Sequence, residues 1–63
     1  MIRIEYFFQD GNSNEEKIEV PSWLDPFDPD WNLLQKNAEE YFEKEICRIE
    51  ILWEDGEISS QSF

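Results

Sequence analysis

The stretch Asp28–Ile46, DPDWNLLQKNAEEYFEKEI, is the one segment of this chain long enough and periodic enough to be a helix. Its apolar residues, Trp31, Leu34, Ala38, Tyr41, Phe42 and Ile46, recur at spacings of three and four and so share one stripe. Asp28 can cap the amino end, Pro29 suits the first turn, and Asp30 meets the positive end of the helix dipole. The other face reads Asn32, Gln35, Lys36, Glu39, Glu40, Glu43 and Lys44. Glu40 and Lys44 there are spaced for an ion pair of about a few tenths of a kcal/mol. A helix over about 29–46 with such a stripe must lie on an apolar surface. The segments on either side of it have to supply that surface.

They read as strands. Ile2, Ile4, Tyr6 and Phe8 alternate with Arg3, Glu5, Phe7 and Gln9, a half-buried strand over about 2–9. Asp10 to Asn14 are turn formers, and a second strand at about 16–20 turns Ile18 and Val20 inward before Pro21 ends it. The connection Ser22–Phe27 carries Trp23, Leu24 and Phe27, which are expected to close one end of the core. After the helix, Cys47, Ile49, Ile51 and Trp53 alternate with Arg48, Glu50, Leu52 and Glu54, a third strand over about 47–54. Asp55-Gly56 is a two-residue hairpin signal, and a fourth strand at about 57–62 places Ile58 opposite Trp53. The expectation is one α+β domain over residues 1–63: ββαββ, a mainly antiparallel four-stranded sheet with the helix on one face. The apolar first and third strands belong in the middle, which gives the order 2-1-3-4. The order 2-1-4-3, as in the immunoglobulin-binding domains of streptococcal protein G, is the alternative.

On that parity the open face of the sheet shows Arg3, Glu5, Phe7, Lys17, Glu19, Arg48, Glu50, Leu52 and Glu54. Every base carried by a strand is there, and Phe7 with Leu52 is a candidate apolar patch. The charge of the chain is its strongest functional signal. Sixteen acids against five bases, with no histidine, give −11. That field repels polyanions, so neither direct nucleic-acid binding nor an anionic membrane surface is expected. It speeds encounter with basic partners and makes that encounter depend on salt; the alternative is that the acidity serves solubility alone. Ten aromatic residues supply a core, which argues against disorder in spite of the charge. The lone Cys47 allows no internal disulfide. With no apolar run long enough for a signal peptide or a span, a cytoplasmic protein is expected.

Chemistry-bearing motifs are few. Asp28, Asp30 and Asn32, with Glu39 eleven residues after Asp28, copy calcium-loop spacing, but the sixth position is Leu33 where a glycine is needed for the turn. A carboxylate-rich helix start accounts for the same residues. Asp25-Pro26-Phe27 matches a tripeptide that endocytic adaptors bind in repeated, disordered tails, yet it stands here once, beside a helix. Without histidine there is no ordinary base near neutral pH, and Cys47 has no partner that would activate it. No catalytic residue, cofactor or metal site is assigned, and no enzyme is expected.

The carboxylates Glu15, Glu16, Asp25, Asp28, Asp30, Glu39, Glu40, Glu43, Asp55 and Glu57 form the candidate partner-binding set. Their acidic runs are EE at 15–16, DPFDPD at 25–30, EEYFEKE at 39–45 and EDGE at 54–57. Together with the chain length and the absence of histidine, these runs resemble the small acidic phage-encoded DNA-mimic inhibitors of the anti-CRISPR and anti-restriction type. The resemblance is one of charge and size, with no shared motif. It implies a basic protein partner, a nucleic-acid-binding enzyme or CRISPR effector subunit, whose DNA path the chain occludes as a monomer or weak homodimer. The alternative is an acidic protein–protein interaction module, such as an immunity protein for a basic toxin or a small adaptor subunit. Such a module depends on Phe7, Leu52 or the fourth-strand edge more than on the acids.

Overall fold

The computed structural model describes residues 1–63. Strands β1 (Ile2–Phe8) and β2 (Ser13–Ile18) precede helix α1 (Trp31–Phe42), and β3 (Ile46–Leu52) and β4 (Ile58–Ser62) follow it. All neighbours pair antiparallel in the order β2-β1-β3-β4. The ββαββ architecture is therefore as the hydrophobic pattern requires, and the first of the two strand orders is the one adopted.

The core lies between the sheet and the helix. Ile4 pairs with Ile51 and Tyr6 with Ile49 across the central ladder, and all four side chains are buried. Ile2, Phe8, Ile46 and Trp53 extend this layer, and Leu34, Ala38 and Leu24 cover it. Phe42 packs at the margin, its ring 5.4 Å from that of Tyr6 and 5.3 Å from that of Phe8. Each buried isoleucine contributes about 1.5–3 kcal/mol. The four ion pairs join groups that are all a third or more exposed, and each adds only about 0–1 kcal/mol. Apolar burial decides this fold.

The helix is shorter than its periodicity suggested. Asp30, not Asp28, is the N-cap, with its carboxylate accepting the Leu33 N–H at 3.1 Å. Pro29 therefore lies outside the helix. At the other end Glu43 adopts the left-handed conformation with φ of 56° and donates its N–H to the Glu39 carbonyl. The expected Glu40–Lys44 pair is absent because Lys44 is beyond the last turn, where it meets Asp10 at 3.1 Å and lies over the Phe8 ring. Tyr41, placed on the apolar stripe by spacing, is 78% exposed. Ile46 is core, but as the first residue of β3. The β1–β3 register jumps between Phe7↔Arg48 and Phe8↔Ile46, so Cys47 is the extra residue of a bulge. That bulge turns Ile46 inward together with Ile49 and Ile51, and Glu39 secures the junction by accepting the Ile46 N–H at 3.0 Å. Cys47 is half-buried with its thiol 3.7 Å from the Phe8 carbonyl.

Both hairpins use one device. Gly11 donates to the Phe8 carbonyl and Gly56 to that of Trp53, each closing a turn that ends in a glycine at positive φ. Asp10 then accepts the Asn12 N–H and Asp55 the Glu57 N–H. These are three-residue loops with a glycine bulge, where the Asp55-Gly56 signal had suggested a two-residue loop. The added residue shifts the register by one, so Ile58 faces Leu52 on the open side and not Trp53 in the core. The same geometry in the first hairpin starts β2 at Ser13 and ends it at Ile18, leaving Val20 outside the sheet and 42% exposed. Of the connection, only Leu24 seals the core; Trp23 and Phe27 are exposed.

Two measurements check this account. Urea unfolding of Ile51→Val should show a loss of about 1 kcal/mol and Ile49→Ala a loss of about 2–5 kcal/mol, against a total of roughly 3–9 kcal/mol for a chain of this size. The Tyr6 hydroxyl is pushed from 10.0 up to about 12 by burial, and next by the charge of Glu16. A raised folded value means stability is complete below the unfolded value and lost as pH climbs between the two. Urea midpoints should therefore fall from pH 10 to pH 12, and Tyr6→Phe should remove the Tyr6 share of that fall.

Candidate functional site

Strand register sorts the charges. The open face of the sheet consists of three rows that run from β2 to β4: Lys17, Arg3, Leu52, Ile58; then Glu15, Glu5, Glu50, Ser60; then Ser13, Phe7, Arg48, Ser62. Three carboxylates side by side repel one another, and the rows above and below offset this. Arg48 reaches Glu50 at 3.4 Å and donates to Ser60 and Ser62, while Arg3 approaches Glu15 at 4.0 Å. Three bases and three acids leave this face formally neutral. The remaining thirteen acids and two bases carry the whole net charge of −11, on the helix, the loops and the turns except for Glu16 on the inner side of β2. Glu19 and Glu54, expected on the open face, lie beyond the ends of β2 and β3 and join that acidic set.

The expected Phe7–Leu52 patch does not form. The carboxylate row separates the two residues, and Leu52 pairs instead with Ile58.

The ten candidate carboxylates are spread widely. Glu15 is on the open face, and Glu16, its neighbour in β2, turns to the helix side beside Tyr41. Asp25, Asp28 and Asp30 lie in the connection that leads into α1. Glu39, Glu40 and Glu43 mark the last turn of the helix and its cap. Asp55 and Glu57 belong to the second hairpin loop, which borders the Pro26-Phe27 segment. The helix crosses from the β4 side, where Trp31 is near Gln61 and Phe63, to the β1–β2 side, where Phe42 meets Tyr6. The helix itself carries acids only in its last turn, Glu39 and Glu40, while the Asp30 cap stands at its opposite end.

Few of them are neutralised. Ion pairs engage only Asp10, Glu15, Glu50 and Glu54. Of the ten candidates, nine have no basic group within 4.0 Å, Glu15 being the exception. Four of the nine also hold backbone: Asp25 accepts from Phe27, Asp30 from Leu33, Glu39 from Ile46 and Asp55 from Glu57. Asp28, Glu40, Glu43 and Glu57 are exposed and have no such duty. Asp10 is held below the usual carboxylate range by the Asn12 backbone N–H and then by Lys44. The acids Asp10, Glu19, Glu45 and Glu54 enlarge the field beyond the candidate set. Asp10 lies in the loop that its residue type predicts and Glu45 just past the helix cap, whereas the places of Glu19 and Glu54 depend on where β2 and β3 end, which alternation alone does not fix.

No group of three or more metal-ligating side chains converges, and no polar or charged side chain is fully buried. What the arrangement offers is a field and a few exposed apolar groups, Phe27 foremost at 97% exposure. No helix is long and apolar enough to cross a membrane. Comparison with protein families, with curated proteins and with solved structures found no match for this chain.

Proposed function

We propose that this chain is an acidic inhibitor that binds and occludes the basic nucleic-acid-binding surface of a protein, after the manner of the DNA-mimic inhibitors it resembles. The observation that carries the reading is the segregation of charge. One sheet face is neutral, and the rest of the molecule (helix, loops, turns and Glu16 on the inner side of β2) holds thirteen acids against two bases. The chain measures 31 × 19 × 18 Å. A duplex carries one charge per about 1.7 Å of axis, so a length equal to the long dimension holds roughly 18 phosphates. A groove that faces one side of a duplex meets about half of those, and the thirteen acids off the neutral face are enough to match them.

Rigidity supports the reading as well. Asp25, Asp30, Glu39 and Asp55 are tied by backbone hydrogen bonds, so the field costs little ordering entropy when a partner docks. Charge of this kind sets encounter rate and specificity more than affinity, and apolar contacts must supply the remainder. A bacterial defence nuclease or CRISPR effector subunit is the class of target, with steric blockage of its DNA path as the mechanism.

The test compares two double variants of equal net charge. Glu40→Lys with Glu43→Lys alters the acidic side, and Glu5→Lys with Glu15→Lys alters the neutral face. The wild-type chain, immobilised, should retain a DNA- or RNA-handling protein from bacterial lysate that elutes steeply between about 0.1 and 0.5 M salt and is displaced by duplex DNA. The first variant should lose that protein while its circular dichroism stays unchanged, and the second should keep it. Full retention by the first variant, or a partner indifferent to DNA, would sink the reading.

A further inference from the structure

Where the connection before α1 meets the second hairpin loop, the surface forms a groove of about 430 Å³. Val20, Pro26 and Trp53 give it apolar walls, Phe27 stands at its lip, and Glu54, Asp55 and Glu57 rim it. The Trp53 indole N–H is already donated to the Ser59 hydroxyl at 2.8 Å, so that ring offers the groove hydrocarbon. No lysine or arginine lines it.

Phe27 is the most exposed large apolar side chain of the molecule, at 97%, and its backbone is held. Asp28 donates to the Asp25 carbonyl at 3.2 Å, and the Phe27 N–H donates to the Asp25 carboxylate at 2.9 Å. Pro26 occupies the second position of that turn with φ set by its ring. The opposite wall is held too, by the Trp53 N–H on the Glu57 carbonyl at 2.8 Å. An aromatic displayed on a pre-formed turn, next to an apolar recess, is the kind of anchor that dominates interface energetics.

We infer that this groove is the anchoring site of the partner: it takes a protein segment in which an apolar side chain is flanked by lysine or arginine. The apolar side chain enters between Pro26 and Trp53 against Phe27, and the flanking cations meet Asp55 and Glu57, Glu54 being already paired with the Met1 ammonium. The chemistry of the rim selects this occupant. A second copy of the chain would bring acidic rim against acidic rim with −11 on each molecule, and an anionic lipid surface would be repelled in the same way. An arginine gains additionally from the exposed face of Phe27. The inference deepens the inhibitor reading, since it rests on the partner surface being basic.

The experiment titrates the isotopically labelled full chain with three capped five-residue peptides and follows amide and indole resonances. Lys-Arg-Leu-Arg-Lys should move the signals of Val20, Phe27, Glu54, Asp55 and Glu57 and the indole of Trp53. Glu-Glu-Leu-Glu-Glu and Lys-Arg-Ser-Arg-Lys should not move this set. Phe27→Ser should weaken binding by about tenfold or more; so exposed a side chain can be removed without loss of the fold. Glu57→Gln should lower both the affinity and its salt dependence. Shifts that map elsewhere, or that match among the three peptides, overturn the inference. So do shifts that appear with protein concentration alone, which would identify a second copy as the occupant.

The two readings fail separately. If the peptide maps to the groove but no captured protein yields to DNA, the inhibitor reading falls and the groove stands. If a DNA-displaceable partner is retained by Phe27→Ser as firmly as by the wild type at high salt, the groove falls and the inhibitor reading stands.

Discussion

Everything in this fold depends on the central ladder between β1 and β3. Ile2, Ile4, Ile49 and Ile51 are 1% exposed or less, and together they form the floor on which the helix rests. In a chain of 63 residues, which buries only about 60% of its unfolded surface, so small a core leaves little margin. The β-branched residues suit a pleated, half-buried surface, and they do not compete with the turn chemistry at either hairpin. With the ladder formed, the acids can be carried at little structural cost, because repulsion among exposed groups is weak beside burial of this kind.

The bulge at Cys47 links this floor to the end of the helix. Ile46 is required on the inner face opposite Phe8, but strict alternation from Ile49 and Ile51 would turn it outward. One extra residue in β3 resolves the conflict, and the helix must then stop early enough for the chain to reach the strand. Glu43 in the left-handed conformation makes that stop, and the Glu39 carboxylate holds the Ile46 N–H across it. A carboxylate counted among the acids of the field is thus also a structural cap. Asp25, Asp30 and Asp55 serve in the same double way, so the negative charge of the loops is partly a consequence of how those loops are closed.

Charge and topology then divide the surface. Alternation sends the strand-borne bases to the open face, where three carboxylates balance them, and the helix and loops receive the excess. The exposed apolar groups follow a related division. Leu52 and Ile58 lie on the neutral face, whereas Phe27 and the Trp53 groove lie among the acids. On the proposed reading, a partner drawn by the field meets the apolar anchor on the acidic side of the molecule, so that long-range steering and short-range contact act in one place.

The primary structure alone determined the inner parity of β1, the presence of one helix, the ββαββ order and the sign of the field, and it left two strand orders open. Each of these follows from a local period or a simple count. Only the tertiary structure decided where elements stop and which residues meet. Asp28 and Asp30 are equally good caps by residue type, and the packing of Trp31 and Leu34 chose the second. Ile46 fitted a helical stripe by spacing, and burial opposite Phe8 assigned it to a strand. Asp55-Gly56 marked a turn without stating its length, and one residue in that loop moved Ile58 from the core to the open face. The acids were countable from the start, but their segregation, and the groove that they rim beside Phe27, required strand register and loop closure. Those are set by contacts between residues far apart in the chain, for which no local pattern exists.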